Sequence, residues 1–262
     1  MTRSQEKVDQ IIELYTEGLS TRQITENTGI SKSVVGDIIK RAGIGRDRSI
    51  SQILGCRRRA HIPLEWSFFP FSPGKAWLLG LIYGDGSLRN DGFRITVTSG
   101  DRDVIENINA LFGDSLFIYT YPTYQVICLD SKRLWQELSL QFALTPNKSR
   151  SLSYPVLEES LKPHFIRGLL DSDGCWKSDT RSPMPRLVFE YASLSKTFVE
   201  SLRADLITYV GVSSKRTVYV GRACTLTYSN LDAIKIGYWL YANSSPRDRC
   251  ERKYAYWARF VE

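Results

Sequence analysis

Hydrophobic positions along the chain repeat one order of elements twice. Helical spacing marks residues 76–86 and 164–174, and each run is followed by strand-like alternation, at 92–98 and at 186–192. A helix, two strands and a helix are then predicted in each half. These elements lie at 101–112, 115–121, 124–129 and 131–142 in the first half, and at 195–210, 214–220, 224–229 and 231–241 in the second.

A separate pattern occupies the first 45 residues. Helices are predicted at 6–17, 21–27 and 32–41, with Ser20 and Ser31 as N-caps and with Gly29 and Gly43 as turn and stop. Three short helices with a glycine-containing turn resemble the helix-turn-helix of resolvase and invertase recombinases. The resemblance makes 32–41 the recognition helix. Its outward candidates for DNA contact are Ser31, Lys32, Ser33, Gly36 and Lys40.

The two apolar runs at 76–86 and 164–174 share small residues and a closing Asp-Gly pair. Gly80 and Gly84 in the first run, and Gly168 and Ser172 in the second, are four residues apart and fall on one helix face. Two such helices can pack almost backbone to backbone. Their ends would then bring Asp85 and Asp173 together, where a divalent cation such as Mg²⁺ would relieve the repulsion between the carboxylates. The glycine after each aspartate is expected to take the left-handed conformation that ends a helix.

Both segments resemble the LAGLIDADG motif of homing endonucleases and intron maturases. Residues 78–86 keep both glycines and the second aspartate, with Tyr83 in place of the first, and residues 166–174 keep both aspartates, with Arg167 at a usually small position. The resemblance is to the two-motif, monomeric members. It implies an α+β fold with a pseudo-two-fold αββαββα repeat, whose two antiparallel sheets form a saddle over double-stranded DNA, plus the small all-α unit at the N-terminus.

The resemblance also assigns roles to individual residues. It implies that Asp85 and Asp173 are catalytic metal ligands, aided by the backbone carbonyls of Gly84 and Ser172. The family places a lysine beyond the last helix of each half, and Lys148 and Lys253 match those places. The second spacing is longer, so an insertion is expected, at 177–185. Tyr83 is expected to affect the helix end more than catalysis.

Charge and composition agree with a folded DNA-binding protein. Of the residues 42% are hydrophobic, and the formal net charge is +7. Residues 1–60 are net +4, 61–174 are net −3 and 175–262 are net +6. Basic flanks around an acidic centre suit a polyanion held at the periphery, with metal bound in the middle.

Saddle-facing strand positions are the candidates for base contact, because every second residue of a strand faces the same side. An arginine-rich segment at 45–65 is either a solvated linker or an arm for the minor groove. The candidates are Arg89, Arg94, Thr96 and Thr98 in the first half, Arg186, Glu190, Lys215, Arg216, Tyr219 and Arg222 in the second, and Arg57, Arg58 and Arg59 in the basic segment.

Cysteine and histidine usage narrows the chemistry. The five cysteines are widely spaced, which favours free thiols in a reducing compartment, and His61 and His164 are too few for a histidine-based nuclease or a Ser-His-Asp hydrolase. The first ten residues carry no apolar core typical of a signal or transit peptide, and neither motif run is long enough to cross a membrane. A cytoplasmic, soluble protein is therefore expected.

These observations predict a site-specific DNA endonuclease that makes a magnesium-dependent double-strand break at a long, asymmetric target. Two alternatives stay open: a maturase that holds folded intron RNA, and a DNA-binding regulator that does not cleave. The predicted domains are 1–45 for the helix-turn-helix, 46–72 for the basic linker or arm, and 73–158 and 159–262 for the two motif halves.

Overall fold

The computed structural model describes residues 5–17, 19–45, 62, 66–180 and 184–261. The chain divides into two compact units, Met1–Arg59 and Ala60–Glu262. Each described unit is built around its own hydrophobic core. The finer predicted boundaries at 45, 72 and 158 remain predictions. None of the helices within the described residues is long and apolar enough to cross a membrane.

The N-terminal unit contains three helices close to the predicted bounds. They are α1 (Gln5–Thr16), α2 (Thr21–Thr28) and α3 (Lys32–Arg41). Ser20 forms a capping box with Gln23 at the start of α2, and Gly29 ends that helix in the left-handed conformation at φ 68°. Ser31 occupies the N-cap position of α3, but its hydroxyl lies 3.2 Å from the Ser33 hydroxyl and makes no cap bond. The small core consists of Ile11, Ile24, Val35, Ile38 and Ile39.

The second unit begins with the first motif half. Its elements are α4 (Pro73–Gly84), β1 (Gly86–Leu88), β2 (Arg94–Ser99), α5 (Arg102–Leu111), β3 (Ile118–Thr120), β4 (Gln125–Asp130) and α6 (Lys132–Phe142), followed by a 3₁₀ helix at Lys148–Arg150. The strands form an antiparallel sheet in the order β1-β2-β4-β3.

The second half repeats this order after a 3₁₀ helix at Glu159–Leu161. Its elements are α7 (Lys162–Ser172), β5 (Cys175–Asp179), β6 (Arg186–Ser193), α8 (Lys196–Asp205) with a π-helical turn at Leu206–Val210, β7 (Val218–Val220), β8 (Ala223–Ser229), α9 (Leu231–Tyr241) and α10 (Glu251–Ala258). Its antiparallel sheet has the equivalent order β5-β6-β8-β7. The predicted α+β fold with a duplicated αββαββα order is confirmed.

Several predicted details were wrong. Strand β7 begins at Val218 rather than 214. The insertion predicted at 177–185 accounts for only part of the extra length. Strand β6 begins 13 residues after Asp173, whereas β2 begins nine residues after Asp85, but 177–179 belong to strand β5. The rest comes from the π-helical turn after α8 and from the longer segment between α9 and α10. Strands β1 and β5 and helix α10 were not located from the sequence.

The two motif helices pack backbone to backbone at the centre of the second unit. A Cβ on Gly80 would overlap the Phe165 carbonyl oxygen and come within 2.9 Å of the Gly168 Cα. A Cβ on Gly168 would likewise overlap the Trp77 carbonyl oxygen. The close approach predicted from the small residues is therefore present, and it fixes where the two helices end.

Candidate active site

Asp85 and Asp173 lie at the adjoining ends of the two motif helices. Each is the C-cap residue of its helix and each side chain is exposed. The ends touch, because a Cβ built on Gly84 would overlap the Ser172 hydroxyl and lie 3.1 Å from Asp173 Oδ2. The helix pair therefore delivers both carboxylates to one accessible place.

The glycines after these aspartates serve a different purpose from the one predicted. Gly86 and Gly174 are not among the glycines with positive φ. A Cβ on Gly86 would instead come within 2.5 Å of the Ile82 Cα, and one on Gly174 within 2.8 Å of the Leu170 Cα. Glycine is needed because the strand leaves the helix so closely, and this tight exit holds the aspartate at the helix end.

Both carboxyl groups are electrostatically strained. Partial removal from water and repulsion by Asp173 raise the pKa of Asp85 to about 6, against the attraction of Lys253 and Lys148. Desolvation also raises the pKa of Asp173, again opposed by the two lysines. The ends of both helices add partial negative charge. A cation placed between the carboxylates would relieve this strain.

Lys148 is buried beside the first aspartate. Its ammonium donates to the carbonyl oxygens of Gly84 at 3.1 Å and Gly86 at 2.6 Å, the residues on either side of Asp85. Burial lowers the pKa of Lys148, while Asp173 and Asp85 favour its charged form.

Lys253 occupies the equivalent place in the second half, from the first turn of α10. Its ammonium lies within hydrogen-bond distance of four carbonyl oxygens, of which Ser172 at 3.1 Å and Gly174 at 2.8 Å correspond to the two partners of Lys148. The others belong to Leu170 at 2.6 Å and Asp171 at 2.8 Å. Burial lowers the pKa of Lys253 as well. The longer spacing to Lys253 thus leads to the same position as in the first half.

The donor set suits a hard divalent cation. Two exposed carboxylates and the neighbouring backbone carbonyls of Gly84 and Ser172 are oxygen ligands of the kind that Mg²⁺ prefers. Each carbonyl already accepts a hydrogen bond from a lysine, and a carbonyl oxygen has a second lone pair. The residues predicted for the metal therefore lie together and fit one.

The first aspartate position of the motif faces the opposite helix. In the second copy Asp171 is buried, and its Oδ2 accepts hydrogen bonds from Trp77 Nε1 at 2.8 Å and from the Cys250 amide at 3.0 Å. In the first copy Tyr83 takes that position and packs edge-on against Phe165, with ring centroids 5.2 Å apart. The Tyr83 substitution therefore changes the helix interface and leaves the exposed carboxylates in place.

In the first sheet the predicted threonines lie on the face away from the helices, where Thr98 is exposed and Thr96 is half-buried. In β2, Ile95 and Val97 are buried, so Arg94, Thr96 and Thr98 lie on the other face. Arg94 is not free there, because its guanidinium donates to both carboxylate oxygens of Asp130 at 2.7 and 2.6 Å. Arg89 is exposed just after β1.

In the second sheet, some of the predicted residues lie on the face away from the helices. Arg186 and Glu190 alternate with buried residues of β6 and lie on the face away from the helices, where Glu190 pairs with Lys177. Arg222 is exposed in the turn between β7 and β8.

Three other candidates of this half lie on the helix side. The register pairs Tyr219 with Cys224, which is buried toward the helices, so Tyr219 is not on the face predicted for it. Lys215 and Arg216 precede β7 and line a surface cavity of about 390 Å³ with Tyr219 and residues of α8. Lys215, Arg216 and Tyr219 therefore do not share the sheet face of Arg186 and Glu190.

The N-terminal candidates are exposed where they are described. Ser31, Lys32, Ser33 and Lys40 lie at the surface of α3. The predicted contacts Arg57, Arg58 and Arg59 lie outside the described residues. The cysteines within the described residues are free thiols, as predicted.

Two contacts near the lysines were not predicted from the sequence, one between the two halves and one within the second half. Asp101 and Arg252 form a bidentate ion pair across 151 residues of sequence, with distances of 2.7 and 2.8 Å. Arg167 is fully buried and binds Asp248 and the Leu240 carbonyl. The partners in each contact are far apart in the sequence, so helix or strand spacing does not predict them. The unusual arginine inside an apolar helix was the one available signal.

The fold can be compared with solved structures. A lysine-to-alanine mutant of I-SmaMI matches with a TM-score of 0.50 and 15% identity, over 73% of this chain and 91% of that chain. The I-SmaMI LAGLIDADG homing endonuclease bound to cleaved DNA matches at 0.47 and 16% identity, over 73% and 89%. Variants of the homing endonuclease I-DmoI match at 0.46 and 19%, over 64% and 95%. No family model and no curated protein matches the chain.

The second unit therefore has the fold of the LAGLIDADG homing endonucleases. The resemblance drawn from the two motifs is confirmed at the level of the fold.

Proposed function

We propose that the chain is a site-specific DNA endonuclease that makes a magnesium-dependent double-strand break at a long, asymmetric target. The proposal depends chiefly on one observation. Two exposed carboxylates, Asp85 and Asp173, share the point where two helices end, and a buried lysine stands beside each. A structural helix pair has no need for two like charges at this place.

The chain's own groups would divide the work as follows. Asp85 and Asp173 would hold divalent ions with the carbonyls of Gly84 and Ser172, and bound metal would supply an activated water and neutralise the leaving oxygen. The ammonium groups of Lys148 and Lys253 fix the carbonyls beside each aspartate and place positive charge near the scissile phosphates. With one aspartate and one lysine from each half, each set would serve one strand.

The two sheets would read the DNA from their uncovered faces. Thr96 and Thr98 in the first sheet, and Arg186 and Glu190 in the second, are placed to contact base edges in the major groove. Because these faces differ, the two half-sites would differ in sequence. A monomer would suffice, since both halves belong to one chain.

The N-terminal unit would extend the target. Exposed Lys32 and Lys40 on α3 suit phosphate or base contact. Because this unit has its own core, a chain lacking residues 1–60 is expected to fold. The shortened chain should still cleave DNA, but it should bind a shorter target more weakly. Unchanged affinity and target length would refute the proposed role of the N-terminal unit.

The proposal is tested by cleavage. Genomic DNA from a strain that lacks the gene would be incubated with the protein in Mg²⁺ or in EDTA, and all double-strand ends would be sequenced. Recurrent ends at one site that depend on Mg²⁺ support the endonuclease. Tight binding at a recurrent site without any cut would favour the regulator.

An aromatic edge supports a second candidate, binding of folded intron RNA. Phe117, Tyr119, Tyr121 and Tyr124 are 40 to 56% exposed beside β3 and β4, and the rings of Tyr121 and Tyr124 stack with centroids 4.6 Å apart. Unpaired bases stack on such rings. RNA affinity that falls in a Tyr121→Ala, Tyr124→Ala variant would support this candidate, and affinity for duplex DNA alone would contradict it.

A further inference from the structure

The position of Lys253 depends on the segment that leads into it. Residues 245–252 join α9 to the first turn of α10, and the ammonium of Lys253 reaches back to the end of α7. A shift of this segment would move the ammonium away from the carbonyls beside Asp173. What holds the segment therefore decides where the lysine lies.

Three residues of the first half hold this segment of the second. Arg252 donates to both oxygens of Asp101 at 2.7 and 2.8 Å. The Glu251 amide, in the first turn of α10, donates to Asp103 Oδ2 at 2.7 Å. Asn107 Nδ2 donates to the Pro246 carbonyl at 2.7 Å. Asp101 is the N-cap residue of α5, and Asp103 and Asn107 belong to that helix, on the other side of the pseudo-two-fold axis.

Asp101 serves this contact instead of its own helix. It occupies the N-cap position of α5 but makes no side-chain cap bond there. A capping aspartate ordinarily stabilises its helix by about 1 kcal/mol. Here the carboxylate turns to Arg252, whose guanidinium holds the pKa of Asp101 below its usual range. Its side chain is only 18% exposed, although that of Arg252 is 66% exposed.

The cluster around Asp101 is not a convincing metal site. Ligand atoms of Asp101, Asp103 and Cys250 lie within 4.8 Å of one another. The two carboxylates are already bound, however, by the Arg252 guanidinium and by an amide of α10. The arrangement is that of an ionic brace.

The second half makes a corresponding contact to the first half, but that contact is a hydrogen bond between uncharged groups. Ser195, at the equivalent N-cap of α8, donates its hydroxyl to the Leu152 carbonyl at 2.8 Å, just after the 3₁₀ helix that carries Lys148. Each half thus contacts the segment beside the other half's lysine, and of these two N-cap contacts the one to the Lys253 segment is the ionic one.

We propose that Asp101 and Arg252 form a positioning pair, through which the first half sets the place of Lys253 in the second. The inference rests on the proposed endonuclease function for its effect on cleavage. Neither residue touches the aspartates of the centre. They act by holding the start of α10.

Hydrogen–deuterium exchange tests the positioning by itself. In Asp101→Asn, the peptide spanning 245–257 should exchange at least about tenfold faster, since the ion pair to Arg252 is lost, whereas the peptide spanning 146–153 should not change. Glu251→Gln is the matched control, because it breaks a neighbouring ion pair with Arg249 that stays within the same half. Equal exchange in Asp101→Asn and wild type would overturn the proposal.

Strand-resolved cleavage tests the consequence. Under single-turnover conditions, Asp101→Asn should slow cutting of one strand by about tenfold relative to the other. The charge-swapped Asp101→Arg, Arg252→Asp variant should restore much of the ratio, and Glu251→Gln should leave it unchanged. Equal slowing of both strands would overturn the proposal. If the wild type cuts no DNA, the proposed function fails, and the exchange result still decides the positioning.

Discussion

Lys148 and Lys253 occupy equivalent places in the two halves but are held differently. Lys148 comes from a short 3₁₀ helix and binds two carbonyls, so within the described residues one of its three protons has no protein acceptor. Lys253 comes from an α-helix and lies close to four carbonyls, including those of the last turn of α7. It therefore caps a helix end in addition to flanking Asp173. The two halves therefore place a positive charge at equivalent positions, but Lys253 also stabilises the end of a helix through carbonyl contacts that Lys148 does not make.

The shared helix interface is where the halves are most alike, and a substitution there should have the largest effect. Gly80→Ala would force the motif helices apart, because its Cβ overlaps the Phe165 carbonyl oxygen. We expect a loss of about 3 kcal/mol or more in the free energy of unfolding, measured by chemical denaturation.

Gly36→Ala is the control for this substitution. A Cβ at this position in α3 meets no atom within 4 Å, and alanine favours a helix by roughly 1 kcal/mol over glycine. The N-terminal unit should become slightly more stable. If Gly80→Ala were also neutral, the close packing described for α4 and α7 would be wrong.

Replacing each lysine in turn measures how much each one contributes to stability. Lys253→Met should cost about 3 kcal/mol, because it leaves buried carbonyls at the end of α7 without a donor, whereas Lys148→Met should cost roughly half as much. Thermal and urea unfolding of both variants would measure the difference. Equal losses would mean that the two extra carbonyl contacts of Lys253 contribute nothing.

The smallest expected effect concerns the charge of Asp85. The folded chain raises the pKa of this carboxyl to about 6, so the folded state binds a proton more readily than the unfolded one, and stability should fall as pH rises from about 4 through 6. Asp85→Asn removes this cost. In EDTA at pH 7.5 it should raise the melting temperature by about 2 °C, a small value because solvent screens the exposed carboxylate.

The pH dependence supplies the control for Asp85→Asn. At about pH 3.5 the Asp85 carboxyl is neutral in both the folded and the unfolded chain, so the difference in melting temperature should largely disappear, whereas at pH 5 part of it should remain. A destabilised variant at pH 7.5, or a gain that is the same at all three pH values, would contradict the electrostatic account of the site.

The sequence predicted the features that depend on residues close together in the chain. Helix α3 was predicted to the residue, and the aspartates followed from the duplicated motif. Strand β1 has three residues, too few for alternation to show, and α10 mixes charges with aromatic residues instead of following a clear apolar stripe. The brace between Asp101 and Arg252 depends on how the halves pack, and no spacing in the sequence records it. The sequence therefore indicated the centre but not how its lysines are held.

The most direct test of the central claim is single-turnover cleavage of the recovered target by wild type, Asp85→Asn and Asp173→Asn in Mg²⁺, with both strands labelled. The account predicts that each variant binds the target and makes no double-strand break, because one carboxylate of the shared centre is missing. A variant of either aspartate that still cuts both strands at the wild-type rate would contradict it.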